Sequence, residues 1–147
     1  MKRILNLFVL LVLVSLLIPP GLGMASPSSR SIIANILQNP QANSNSATSV
    51  AYSPDGKLLA IGGVDSHIYI YDVNSGQLQL TLDGHAGAPV TGVAFSPDGN
   101  LLASSGRDSV IRLWNPLTGQ QVREFHGHEN PARALAFNPD GSLLASG

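Results

Sequence analysis

The sequence predicts an all-β chain built from repeats of one small four-stranded antiparallel sheet. Three observations carry that expectation. The phrase "AYSPDGKLLAIGGVDSHIYIY" (51–71) returns as "AFSPDGNLLASSGRDSVIRLW" (94–114) and begins again as "AFNPDGSLLASG" (136–147). In register, 49–77 and 92–120 agree at 15 of 29 positions at an offset of 43, and 134–147 follows at an offset of 42. Self-similarity at that period marks an array of identical supersecondary units. Finally, 15 glycines and 10 prolines in 147 residues suit short strands and turns better than long helices.

The chain opens with a different material. Lys2 and Arg3 precede "ILNLFVLLVLVSLLI", Pro19 and Pro20 end any helix, and Gly23 and Ala25 supply small residues. A basic start, a short apolar stretch and a small-residue site describe a secretory signal peptide over 1–25, with cleavage after Ala25. The alternative is a membrane anchor through 4–18, although a span needs roughly 20 apolar residues. Residues 26–48, rich in Ser, Asn, Gln and Pro, read as a polar linker.

The first repeat occupies 49–91. Its leading stretch alternates apolar and small residues, the period of a strand. "SPDG" then closes a turn, with proline presetting φ and glycine accepting the left-handed position. "LLAI" pairs back, a turn centres on Asp65, "HIYIY" follows, and the "SGQ" turn leads to "LQLTL". The second repeat, 92–133, has the same order: "LLAS", a turn at Asp108, "VIRLW", "TGQ" and "QVREF". The third, 134–147, holds the first half of the pattern. Most positions on both faces are apolar or small, so each sheet expects neighbours on both sides.

The period, "SPDG", "LLAS", "IRLW" and the Gly-His pairs at 84–85 and 127–128 resemble the WD40 repeat family, over residues 49–147. The resemblance implies four-stranded blades packed radially into a β-propeller. It further implies a structural hydrogen-bond network in the second blade. There His85 bridges Asp108 and Ser104, and Ser104 accepts from the Trp114 indole N–H. The other copies depart from the pattern. The first has Asp65, but Ile61 in place of the serine, Tyr71 in place of the tryptophan, and no Gly-His pair. The third has His128 and Ser146 alone.

Serine, histidine and aspartate together also raise a hydrolase reading. No G-x-S-x-G elbow is present, and Ser104 falls within a strand expected to be buried, so no catalytic residue is assigned. "HGHE" (126–129) places two histidines on one strand face, but His128 has a network role and no further ligand cluster accompanies it. No metal or cofactor is expected. Arg107, Arg112, Arg123 and Arg133 are scattered and read as surface residues.

Net charge is −1 and no basic run occurs, so nucleic acid is not an expected partner. Cysteine is absent, which excludes disulfides and thiolate sites. The expectation is an exported, non-catalytic interaction scaffold for a protein or peptide, touching a membrane only if residues 4–18 are retained. The alternative is the propeller part of a secreted enzyme whose catalytic residues lie outside these 147. Common rings have at least about four blades, and this sequence supplies two and the first half of a third. It is therefore expected to be the N-terminal part of a longer propeller, or else to associate through open blade edges.

Overall fold

A four-residue turn organises each unit. In the computed structural model, which describes residues 47–147, the Ser53 hydroxyl donates to Asp55 Oδ1 (2.7 Å) while its oxygen accepts from the Leu58 amide (2.9 Å). Gly56 takes φ 71°, a left-handed conformation that glycine adopts without strain. Ser96, Asp98 and Gly99 repeat the turn, with the Ser96 hydroxyl 2.6 Å from Asp98 Oδ1. In the third unit Asn138 replaces the serine, and its side-chain oxygen accepts from the Leu143 amide at 2.8 Å. The signal-peptide and anchor readings, and the linker up to residue 46, lie outside the described residues.

Among the described residues there are ten strands: β1 (Ala47–Tyr52), β2 (Leu58–Gly63), β3 (His67–Asp72), β4 (Leu78–Asp83), β5 (Val90–Phe95), β6 (Leu102–Gly106), β7 (Ile111–Trp114), β8 (Gln121–Phe125), β9 (Leu135–Phe137) and β10 (Leu144–Ser146). They form two four-stranded antiparallel sheets in sequential order, β1 to β4 and β5 to β8, and the two-stranded pair β9–β10. The all-β expectation and its four-stranded units are what the structure shows. One boundary differs. Ala47 and Thr48, which their polar context places in the linker, begin β1, where the Thr48 hydroxyl donates to the Gly62 carbonyl at 2.8 Å.

Successive units meet through their first strands. β5 lies against β1 and β2, and β9 against β5 and β6. The Val93 amide donates across this seam to Ser49 Oγ at 3.1 Å. The main apolar cluster sits between sheets rather than within one. Ala60, Ile68, Ile70 and Leu82 of the first sheet meet Val90, Val93, Leu102 and Trp114 around the second. Each fully buried aliphatic side chain there contributes about 1.5–3 kcal/mol, so the seam is the principal source of cohesion. A second cluster, Leu59, Ile61, Tyr69 and Tyr71, occupies the other face of the first sheet. Among the described residues the sheets do not close into a ring.

Neighbouring turns also lie close. A methyl group on Gly99 would stand 3.5 Å from Pro54 Cδ, and one on Gly141 3.4 Å from Pro97 Cδ, so each proline faces the glycine one unit later across about a methyl's width. These turns share one end of the strands with the 72–77 and 115–120 turns. The Asp65 and Asp108 turns and the Gly84–His85 loop occupy the opposite end.

Candidate functional site

At that opposite end the second sheet encloses a polar core. Ser104 projects from the middle of β6 and Trp114 ends β7, with Trp114 opposite Leu102 in register. Ser104 and Leu102 share a face, as do Arg112 and Trp114, because strand side chains alternate. The β6–β7 turn carries Asp108, with Ser109 at φ 61°, and its carboxylate accepts from the Val110 amide at 3.2 Å. His85 descends from the loop after β4 and is fully buried.

The structure brings His85, Ser104, Asp108 and Trp114 together. His85 Nδ1 lies 3.0 Å from Asp108 Oδ1, and His85 Nε2 lies 2.8 Å from Ser104 Oγ. The Trp114 indole donates to Ser104 Oγ at 2.8 Å. One proton arrangement satisfies every group. Trp114 N–H donates to Ser104, the Ser104 hydroxyl donates to His85 Nε2, and His85 Nδ1–H donates to the Asp108 carboxylate. The imidazole is then neutral, in keeping with burial, which pushes its pKa below the usual value against the opposing pull of Asp108. Burial works to raise the Asp108 pKa, but hydrogen bonds from His85, Arg112 and the Val110 amide outweigh it and hold the carboxyl below its ordinary range.

Arg112 corrects the sequence reading. Arg107, Arg123 and Arg133 are exposed, but Arg112 is buried and its Nη1 lies 2.6 Å from Asp108 Oδ2. Its Nε also faces Glu124 Oε2 on β8 at 3.7 Å. Desolvating a guanidinium is costly, and two carboxylates on adjacent elements offset that cost. The signal was available in the alternation: Arg112 stands two residues before Trp114 and must share its face. With Nδ1–H of His85 given to Asp108, Arg112 Nη1, 2.9 Å from that nitrogen, acts on the carboxylate instead.

The first sheet solves the same problem with other chemistry. Ile61 occupies the Ser104 position and packs with Leu59, Tyr69 and Tyr71. Tyr69 occupies the Arg112 position, and its hydroxyl donates to Asp65 Oδ2 at 2.7 Å. Burial and then the Asp65 carboxylate push the Tyr69 pKa upward. An aspartate in the β2–β3 or β6–β7 turn is thus clamped from the next strand in both sheets, by a phenol in one and a guanidinium in the other. In the third unit His128 Nε2 lies 2.8 Å from Ser146 Oγ on β10. His126 turns away to Glu124 Oε1 at 3.0 Å, so the two histidines of "HGHE" face different partners.

The glycine of the Gly-His pair has a steric cause. A Cβ on Gly84 would overlap the Trp114 ring, and one on Gly106 would overlap His85 and Asp108. The network therefore ties the loop after β4 to β6 and β7 of the next sheet, crossing from one unit to its neighbour.

Adjoining four-stranded sheets with this His–Ser–Asp–Trp linkage coincide with a recurring sequence family. The family model described as WD domain, G-beta repeat matches residues 76–115 and 119–147. The chain carries WD40 repeats. The model of the anaphase-promoting complex subunit 4 WD40 domain matches residues 28–88, so a WD40 match also covers the first sheet. Among curated proteins, a 51-residue stretch is 43% identical to the periodic tryptophan protein 2 homolog of Dictyostelium discoideum, covering 35% of this chain and 5% of that protein. The WD40 chain thus matches a small fraction of that relative's length.

Chemically, the network has the spacing of a Ser–His–Asp relay and lacks its access. Ser104 is fully buried, its proton is committed to His85 and its lone pair to Trp114. A hydrolytic serine must meet a carbonyl carbon beside oxyanion donors. Here the arrangement supports a rigid loop.

Proposed function

We propose that this chain is an exported, non-catalytic scaffold that binds a protein or peptide through the loops at the network end of its blades. The observation that carries the reading is the division of labour at the β6–β7 turn. Asp108 is anchored inward on His85 and Arg112, while Arg107 beside it is exposed. The equivalent turn of the first blade holds Val64 in that place and His67 where the second has Val110. Turns clamped to a common backbone but differing in outward side chains present varied contacts on a rigid support, which favours recognition by lowering the ordering cost of binding. WD40 repeats support a protein-interaction role in general, and the identity of the partner is a matter of these loops rather than of the fold.

Affinity capture from the exported fraction tests the reading, comparing the native chain with Arg107→Glu. Loss of a specific bound protein in the variant, with unchanged thermal stability, is the expected outcome. Equal retention by both would count against the loops as the contact. Export is supported by Lys2, Arg3 and the apolar run after them. N-terminal sequencing of the native protein should begin at Ser26; an intact Met1 would overturn cleavage.

A further inference from the structure

We propose that the loop after β4, residues 84–88, is an acid-operated latch, closed on the second sheet while His85 is neutral and opening locally when the imidazole is protonated. The proposal rests on the geometry of the network and is independent of export and of any partner.

The latch has one polar fastening. His85 carries the only polar side chain between residues 84 and 89. It is fully buried, while Ala86 and Gly87 beyond it are exposed, and a Cβ on Gly87 would meet nothing within 4 Å. The Ala88 amide donates to the His85 carbonyl at 2.7 Å, closing a turn whose central residues both take positive φ, Ala86 at 46° and Gly87 at 79°. Glycine adopts that conformation freely, but alanine is strained in it, so opening relieves the backbone. Gly84 lies against the Trp114 ring, so an open latch uncovers the indole. The Pro89 carbonyl accepts from the Arg107 amide at 2.8 Å and Val90 is buried in the seam, which fixes the far end as a hinge.

A second proton has no place in the closed network. Neutral His85 accepts from Ser104 at Nε2 and donates to Asp108 from Nδ1. The imidazolium donates at both nitrogens, so the Ser104 hydroxyl, already accepting from Trp114, loses the acceptor of its own proton. Charge opposes it as well. The ring faces Asp108 of the β6–β7 turn and Arg112 of β7, whose Nη1 stands 2.9 Å from Nδ1. Those two neutralise each other at 2.6 Å, so an imidazolium adds an unbalanced cation beside a guanidinium in a buried site. Glu124 of β8 faces Arg112 Nε at 3.7 Å, and among the described residues Asp108 is the one carboxylate bonded to the ring. In the open loop, water solvates the charge. Acid thus favours opening by about tenfold for each pH unit below the ordinary histidine value of about 6.5.

Hydrogen exchange in the 147-residue chain between about pH 7.5 and about pH 5, each rate divided by its intrinsic value at that pH, tests the latch. Protection at the Ala88 amide and the Trp114 indole N–H should fall about tenfold per pH unit below about 6.5, while the amides of β2 and β3 hold theirs. In His85→Gln, which takes no proton, protection at both probes should be independent of pH. Arg112→Met removes the facing cation and leaves Asp108 free to hold the imidazolium. It should flatten the pH dependence even where it lowers protection throughout, which a merely structural tie would not do. The variants are read separately, so if one fails to fold the other decides. Constant protection at Ala88 and Trp114, loss in step at β2 and β3, a slope surviving His85→Gln, or an unchanged slope in Arg112→Met would overturn the proposal.

Discussion

Ser104→Ala removes one oxygen and exposes the logic of the blade. That oxygen accepts from the Trp114 N–H and its proton goes to His85 Nε2, both at 2.8 Å, in a site with no solvent access. Each buried polar group left without a partner costs about 1–3 kcal/mol, and partial relaxation of the imidazole returns some of that. The expected loss is about 2–4 kcal/mol, a large share of the roughly 5–15 kcal/mol that holds a domain together. Urea unfolding followed by Trp114 fluorescence measures it directly. The midpoint temperature should fall by about 10–20 °C for a domain of this size. In a Trp114→Phe background, followed by circular dichroism because no tryptophan remains, the indole donor is already gone, so the same substitution should cost about 1 kcal/mol less. A loss below about 0.5 kcal/mol for Ser104→Ala in the native background would refute the reasoning, because the hydroxyl would then be dispensable.

Further outcomes follow from neighbouring contacts. Gly84→Ala places a methyl inside the Trp114 ring volume, and overpacking of this kind should cost about 1–3 kcal/mol and shift the tryptophan emission. Tyr69→Phe deletes the hydroxyl that donates to Asp65 and should cost about 1 kcal/mol. Arg112→Leu strips a charge-assisted bond from a mostly buried Asp108 carboxylate and should cost about 1.5–3 kcal/mol in the same urea assay. The His85 pKa is depressed in the fold by burial, so the unfolded chain takes up its proton first. Stability should therefore be full above the unfolded value near about 6.5 and decline below it by at most ~1.4 kcal/mol per pH unit. Asp108, also depressed, contributes stability above its unfolded value near about 3.9 that disappears as pH falls through its folded value. The slope near pH 6 should vanish in His85→Phe, and a persistent slope there would assign it to another group.

The all-β class and its four-stranded units were legible because their causes are local. Proline, aspartate and glycine dictate the turn, and alternation dictates the strand. Ser104, Asp108 and Trp114 could be placed on their elements for the same reason. Alternation puts Arg112 on the Trp114 face, but a lone charge between Ile111 and Leu113 looks like a solvent-facing residue until the carboxylate across the turn is known to point inward. The role of Tyr69 is not legible because nothing in "HIYIY" distinguishes the tyrosine that clamps Asp65 from Tyr71, and both pack in the same apolar cluster. Pro54 faces Gly99 one repeat later, and no local pattern announces a neighbour at that distance.

The facing of proline and glycine at one rim has a consequence for how such an array can diversify. Each proline lies at ordinary van der Waals distance from where a methyl would stand on the glycine one module later, so a bulkier residue there would push the modules apart. On the other rim the Gly84–His85 loop and the Asp108 turn are tied across modules, so what is at liberty to change there is the outward side chains, such as Arg107, while the geometry beneath them stays constant.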